Sequence, residues 1–138
     1  MNTPQIAIHL SFNGDCAEAF AHYERVLGGT INRVLTYGAS PMADHVPPSE
    51  QNRVMHASLT LGGTQLMGAD GVSSHPYAGS TGFSVSLSYP TAEQAAQVFE
   101  ALGAGGAVIM PFGPTFWAKG FGVLTDRFGV SWMVGCDH

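Results

Sequence analysis

The chain has 138 residues, of which only 11% are charged, with a net charge of −5 and 18 glycines. A hydrophobic share of 45% can build a core, which excludes intrinsic disorder. Five basic residues, with Lys119 the single lysine, make no stripe for phosphates, so nucleic acid is not an expected partner, and the charged flanks of a coiled coil are missing.

In chain order, the stretch before Ile6 shows no basic segment followed by a long apolar one, so no signal peptide is expected. Ile6 to Phe12 alternates apolar and polar residues and predicts a strand. Ile6, Ile8, Leu10 and Phe12 form its apolar face, while Ala7, His9 and Ser11 form the other. Asp15 with Glu18 reads as a capping box, and Phe20, Tyr23 and Leu27 share one face of the helix that follows. His22 is expected on that helix's surface. Gly28-Gly29 stops the helix, and a strand is expected around Ile31 to Leu35. Gly38 to Asn52 is rich in Pro, Ser and polar residues and predicts a loop that holds His45. In the strand Val54 to Leu61, His56, Ser58 and Thr60 face one way, and Met55, Ala57, Leu59 and Leu61 the other. A further strand carries Gly63 to Met67, and His75 lies in a second Pro-containing loop.

The pattern then repeats. Phe83 to Tyr89 alternates like Ile6 to Phe12 at an offset of 77, with Ser84, Ser86 and Ser88 on the polar face. Thr91 with Gln94 reads as a second capping box, and Ala95, Val98 and Leu102 form the buried stripe of a second helix. Gly105-Gly106 matches Gly28-Gly29 at the same offset, and a strand follows from Ala107 to Pro111. Gly129 to Met133 resembles Gly63 to Met67 at an offset of 66, so the first copy is about 11 residues longer, and the loop from Gly38 accounts for the excess. Ala101 to Ala118 is uncharged over 18 residues, but its glycines, Pro111 and Pro114 argue against one membrane-spanning helix. Each copy therefore reads as strand, helix, strand, strand, strand. The expected architecture is α+β in a single domain spanning residues 1–138, with module one over about 5–71 and module two over about 82–136.

A sheet with helices on one face and small polar residues on the other is open on its polar side, and two such sheets can frame a cleft for a small-molecule ligand. Trp117, Phe116 and Phe121 could wall such a site or pack where the modules join. Asp126 to Gly129 reads as a turn. Cys16 lies in a first helical turn, where the dipole lowers a thiol pKa, but no basic partner is near in sequence. His138 is terminal. Cys16 and Cys136 are too few for a disulfide scaffold, and a reduced, cytoplasmic protein without a membrane partner is expected.

Several motifs together resemble the PhnB-like proteins of the vicinal oxygen chelate superfamily. They are His9 to Phe20 with Tyr23 and Leu27-Gly28-Gly29, then Met55 to Leu59, Gln65 to Asp70, Thr115-Phe116-Trp117 and Asp126 to Trp132, covering nearly the whole chain. The resemblance implies the glyoxalase/bleomycin resistance fold: paired βαβββ modules, curved mixed sheets, and helices on the outer face. It also implies a homodimer, and a divalent metal held on the first and last strands of each module by His, Glu or Gln. Here those positions carry His9, Met67, Ser86 and Met133. Only His9 is an ordinary ligand for such an ion, and thioether sulfur suits Cu(I). A cofactor is therefore not expected, and a divalent metal is disfavoured. His56 and His9 are the candidate acid/base groups. Ser11, Ser58, Met67, Ser86, Phe116, Trp117 and Met133 are the candidate binding residues. The leading expectation is a small-molecule-binding protein. A metal-dependent or His-assisted lyase, isomerase or transferase, and a resistance or sequestration protein, are the alternatives. Some relatives bear a demethylubiquinone methyltransferase label, but no glycine loop for the usual methyltransferase cofactor is found.

Overall fold

A computed structural model describes residues 3–136. The chain falls into two compact units, Met1–Gly79 and Ser80–His138. Unit one runs β1 (Ala7–Phe12), α1 (Cys16–Leu27), β2 (Thr30–Thr36), β3 (Val54–Leu61) and β4 (Thr64–Asp70). Unit two runs β5 (Val85–Ser88), α2 (Ala92–Gly103), β6 (Ala107–Gly113), β7 (Gly120–Thr125) and β8 (Ser131–Cys136). The strand–helix–three-strand order is thus present twice. The loop from Gly38 holds two short 3₁₀ turns, Ala43–His45 and Pro48–Glu50. No helix among the described residues is long and apolar enough to cross a membrane.

Each unit builds a four-stranded mixed sheet, with strand orders β1-β4-β3-β2 and β5-β8-β7-β6. The first and last strands of each unit pair in parallel, and the other neighbours are antiparallel. The register repeats with the sequence. His9 lies opposite Met67, and 77 and 66 residues later Ser86 lies opposite Met133. Both edge strands β2 and β6 break register at matched places, around Asn32 and Ile109. Bulges of this kind twist a strand and blunt its edge for uncontrolled pairing.

The helices cover the apolar sheet faces. Ala19, Phe20 and Tyr23 of α1 are buried with Leu10, Phe12, Ala57, Leu59 and Leu66. Gly68 leaves room there, because a Cβ on it would run into the Phe20 and Phe12 rings. In unit two, Ala95, Val98, Phe99 and Leu102 of α2 are buried, as are Val85, Leu124, Trp132 and Val134. A Cβ on Gly29 would collide with the Thr60 carbonyl, and one on Gly106 with the Thr125 carbonyl. The matched glycines therefore do more than stop helices: they let the chain pass close over the third strand of each unit.

Some expectations need correction. Ile6 (78% exposed) and Phe83 (44% exposed) lie before their strands and are not under a helix. His22 is buried rather than on the surface, with its ring 6.1 Å from that of Tyr23. Thr91 does cap α2, its Oγ1 accepting from the Gln94 amide at 3.1 Å. Asp15 occupies the N-cap position of α1 but makes no such bond, and its buried Oδ1 has no hydrogen-bond partner. Burial, followed by the charges of Asp70 and Glu18, raises its pKa against the opposing pull of backbone amides.

The cap of α1 comes instead from Asp70, at the end of β4. Its Oδ1 accepts from the amides of Gly14 (2.8 Å) and Cys16 (3.0 Å), and its Oδ2 from that of Val54 (2.8 Å). One carboxylate, 4% exposed, thus ties together the end of β4, the start of α1 and the start of β3. Removing it strands three backbone donors, and each buried orphan costs about 1–3 kcal/mol. Asp70→Ala is therefore expected to lower unfolding free energy by about 3 kcal/mol or more, read from the urea midpoint. A loss below about 1 kcal/mol would show that these amides have other acceptors.

Candidate functional site

The faces turned away from the helices carry the candidate side chains, and strand register fixes which of them are neighbours. In unit one Arg33 lies opposite Ser58, Ser58 opposite Met67, and Met67 opposite His9, so four strands contribute one row. Residues directly opposite one another project from the same sheet face. Ser11 opposite Ala69, and Leu35 opposite His56, continue that face. His9 and Ser11 are exposed, Met67 and His56 half-buried, and Ser58 buried. Partial desolvation over the sheet, and then the field of His56, hold the His9 pKa below its usual 6.5.

In unit two the matching row is Met110, Val123, Met133 and Ser86. Next to it, Ser88 lies opposite Gly135, and Gly135 opposite Phe121, which lies opposite Gly113. Ser84 and Ser131 join their hydroxyls at 2.6 Å. Phe116 packs edge-on against Trp117 at 4.7 Å, and Trp117 against Phe121 at 5.4 Å. Phe116 is 98% and Trp117 48% exposed, so neither ring is core. Their loop is ordered by Thr115, whose Oγ1 accepts from the Ala118 amide at 3.1 Å and whose own amide donates to the Ala118 carbonyl at 3.0 Å.

Each face carries a cavity at the same place in the repeat. In unit one a cavity of about 320 Å³ is lined by Ser11, Ala69, Tyr37, His75 and Tyr77. In unit two one of about 100 Å³ is lined by Ser86, Ser88, Gly135, Trp117 and Phe121. Ser11 and Ser88 match at the offset of 77, and Ala69 and Gly135 at that of 66. Both cavities thus have a serine and a small residue from the parallel strand pair and an aromatic residue that follows the second strand.

The donor chemistry at the superfamily's metal positions is poor. The in-register pairs are His9 with Met67 and Ser86 with Met133. An imidazole, two thioethers and one hydroxyl do not make the oxygen- and nitrogen-rich set that a hard or borderline divalent ion takes. No group of three His, Cys, Asp or Glu side chains that could hold a metal is found among the described residues.

The remaining candidates separate cleanly. Cys16 is buried, and desolvation with the charges of Asp70 and Asp15 pushes its pKa well up, opposite to the shift expected from the helix dipole. Its thiolate form is therefore disfavoured. Asp126 forms the expected turn between β7 and β8. It accepts from the amides of Phe128 (2.9 Å) and Val130 (3.0 Å) and from the Trp132 indole (2.8 Å). His45 ends an exposed 3₁₀ turn. His138 lies outside the described residues. Sequence reasoning passed over Tyr37, Tyr77 and Asp70. The usable signal was Asp70 itself, a lone carboxylate ending an otherwise uncharged strand.

Titration of the histidines by NMR checks the shared face. His9 is expected to titrate below 6.5, and His56→Ala to raise that value without restoring it fully, because burial remains. The folded protein holds His9 neutral more firmly than the unfolded chain does. This contribution to stability is present above 6.5 and lost as pH falls from there through the folded pKa. An unchanged His9 curve in His56→Ala would separate the two rings.

Residues 4–135 match the family model described as 3-demethylubiquinone-9 3-methyltransferase. Protein YjdN of Escherichia coli K12 is 34% identical over 134 residues, covering 91% of this chain and 90% of that protein. Protein PA1353 of Pseudomonas aeruginosa superposes with a TM-score of 0.90 at 46% identity, covering 98% of each chain. The Bacillus cereus PhnB protein, a proposed 3-demethylubiquinone-9 3-methyltransferase, superposes at 0.81 with 30% identity over 96% of this chain and 99% of its own. The fosfomycin resistance protein FosX of Listeria monocytogenes shares the fold, with a TM-score of 0.67 at 11% identity over 100% of this chain and 96% of its own. The chain belongs to the 3-demethylubiquinone-9 3-methyltransferase family of PhnB-like proteins, and its fold is the glyoxalase/bleomycin resistance fold.

Proposed function

We propose that this protein binds a small metabolite against the polar faces of its sheets, and that it does so without a metal at His9, Met67, Ser86 and Met133. The matched cavities carry this reading: the repeat places a serine, a small residue and an aromatic wall at the same sheet position twice. Flat rings such as Trp117 and Phe121 give a large contact area at low entropic cost, and the serine hydroxyls orient a polar group. Ser11, Ser86, Trp117 and Phe116 are the residues assigned to contact. Ser58, Met67 and Met133 lie in register on the same sheet faces but do not line these cavities. The family description names a methyltransferase, but two small mixed sheets offer no doubly wound parallel sheet or glycine loop for the usual cofactor of that reaction.

The histidine pair favours a second reading, in which His9 takes a proton from a bound ligand and His56 assists. A His9 held neutral on an accessible face can act as such a base. Elemental analysis after mild purification, with a thermal-shift screen of metals and metabolites, tests the metal-free reading. The expected result is no stoichiometric zinc, nickel, manganese or iron, and stabilisation by an organic ligand that Trp117→Ala diminishes. A stoichiometric ion would overturn it.

We also propose a homodimer in a reducing, cytoplasmic setting. The edge strand β6 presents Val108, Ile109 and Met110 to solvent in a chain with few charges to keep it apart. Light scattering is expected to give twice the chain mass at micromolar concentration, and a monomer there would refute the dimer.

A further inference from the structure

The cavity of unit one has a chemistry of its own. It holds about 320 Å³, within the range of small-ligand sites. Two tyrosines, Tyr37 and Tyr77, line it together with His75, Ser11 and Asp70. No Lys or Arg lines it among the described residues. Arg53 lines a neighbouring cavity of about 190 Å³. Its guanidinium donates there to the Gly71 carbonyl at 2.7 Å and to Asn13 Oδ1 at 3.5 Å.

The walls are fixed before any ligand arrives. The amides of Tyr37 and Gly38 donate to the carbonyls of Arg53 (2.9 Å) and Gln51 (2.8 Å). Ser40 Oγ donates to the Tyr37 carbonyl at 2.7 Å. Across the cavity, Val72 and His75 exchange backbone hydrogen bonds, and Glu50 accepts from the Ser73 amide and hydroxyl. Gly71 lies so close to Tyr77 that a Cβ would strike the Tyr77 amide. A preformed site loses little freedom on binding.

We propose that this cavity binds a small organic cation, an ammonium group on a compact carbon frame. Tyrosine rings attract a cation through their negative faces. The Asp70 carboxylate, buried and held by three backbone amides, adds a negative charge from beneath the lining, and no lining Lys or Arg opposes it. The inference rests on the sheet-face reading in sharing Ser11, and it deepens that reading by naming a ligand class.

The probe is choline, with its neutral carbon isostere 3,3-dimethylbutan-1-ol and acetate as comparators, followed by two-dimensional NMR on the full chain. Saturable choline shifts are expected at the amides of Tyr77, Ala78 and Gly79, with the isostere about tenfold weaker and acetate silent. Tyr77→Leu is expected to weaken choline about fivefold. Ala78→Arg, at an exposed position, places a cation at the rim and is expected to weaken choline with the thermal midpoint unchanged, which guards against misreading a folding defect. Equal binding of choline and the isostere would overturn the proposal, as would the absence of a saturable choline response. Choline shifts confined to Ser86, Ser88 and Trp117 would overturn it while leaving the sheet-face reading intact. A stoichiometric metal would overturn that reading and leave this one standing.

Discussion

The buried Asp70 carboxylate is the constraint on which unit one depends. Two segments that are far apart in sequence, the start of α1 with Gly14 and Cys16 and the start of β3 with Val54, present three backbone amides to it. Taking a carboxylate out of water is costly unless donors replace its hydration, and three amides do so here. Because Asp70 ends β4, the parallel pairing of β4 with β1 is what carries the carboxylate to the helix N-terminus. The same position fixes the wall between the tyrosine-lined cavity and the core. In unit two Asp126, at a different place in the repeat, also gathers three N–H donors, but within the β7–β8 hairpin. Among the described residues the buried carboxylates are Asp70 and Asp126, and each holds three N–H donors.

The repeat gives that constraint its setting. Two offsets, 77 for the first strand and 66 for the last, reproduce the pairing of His9 with Met67 in that of Ser86 with Met133. A slip of one residue would send every side chain to the other face, so the match shows that both sheets were built on one register. The duplicated scaffold then carries different chemistry. Unit one bears His9, His56 and His75 with two tyrosines around its open face, while unit two bears serines, a tryptophan and a phenylalanine.

Much of this was legible in the residues. Alternation fixed Leu10, Phe12 and Val85 as core, because a strand half covered by a helix must bury every second side chain. Glycine pairs marked both helix ends, since Gly29 and Gly106 sit where only a missing side chain lets the backbone pass. Thr91 announced its cap by spacing alone. Asp15 gave the same local signal and makes no such bond, while Asp70, 54 residues from Cys16, takes the first helical amide. Local pattern has no access to a competitor that distant. Ile6 and Phe83 failed for a related reason: alternation continues past the end of a strand, but helix cover does not.

The sequence by itself determined the element order, the repeat, the family and the poor donor set at the superfamily's metal positions, because periodicity, spacing and ligand chemistry are properties of residues in order. Only the tertiary structure decided that His9 and His56 share a field, that Trp117 and Phe116 stand in solvent, and that Tyr37, His75 and Tyr77 meet around one cavity beside Asp70. Those facts depend on pairing between segments 20 to 60 residues apart, where burial and through-space charge are set by contact.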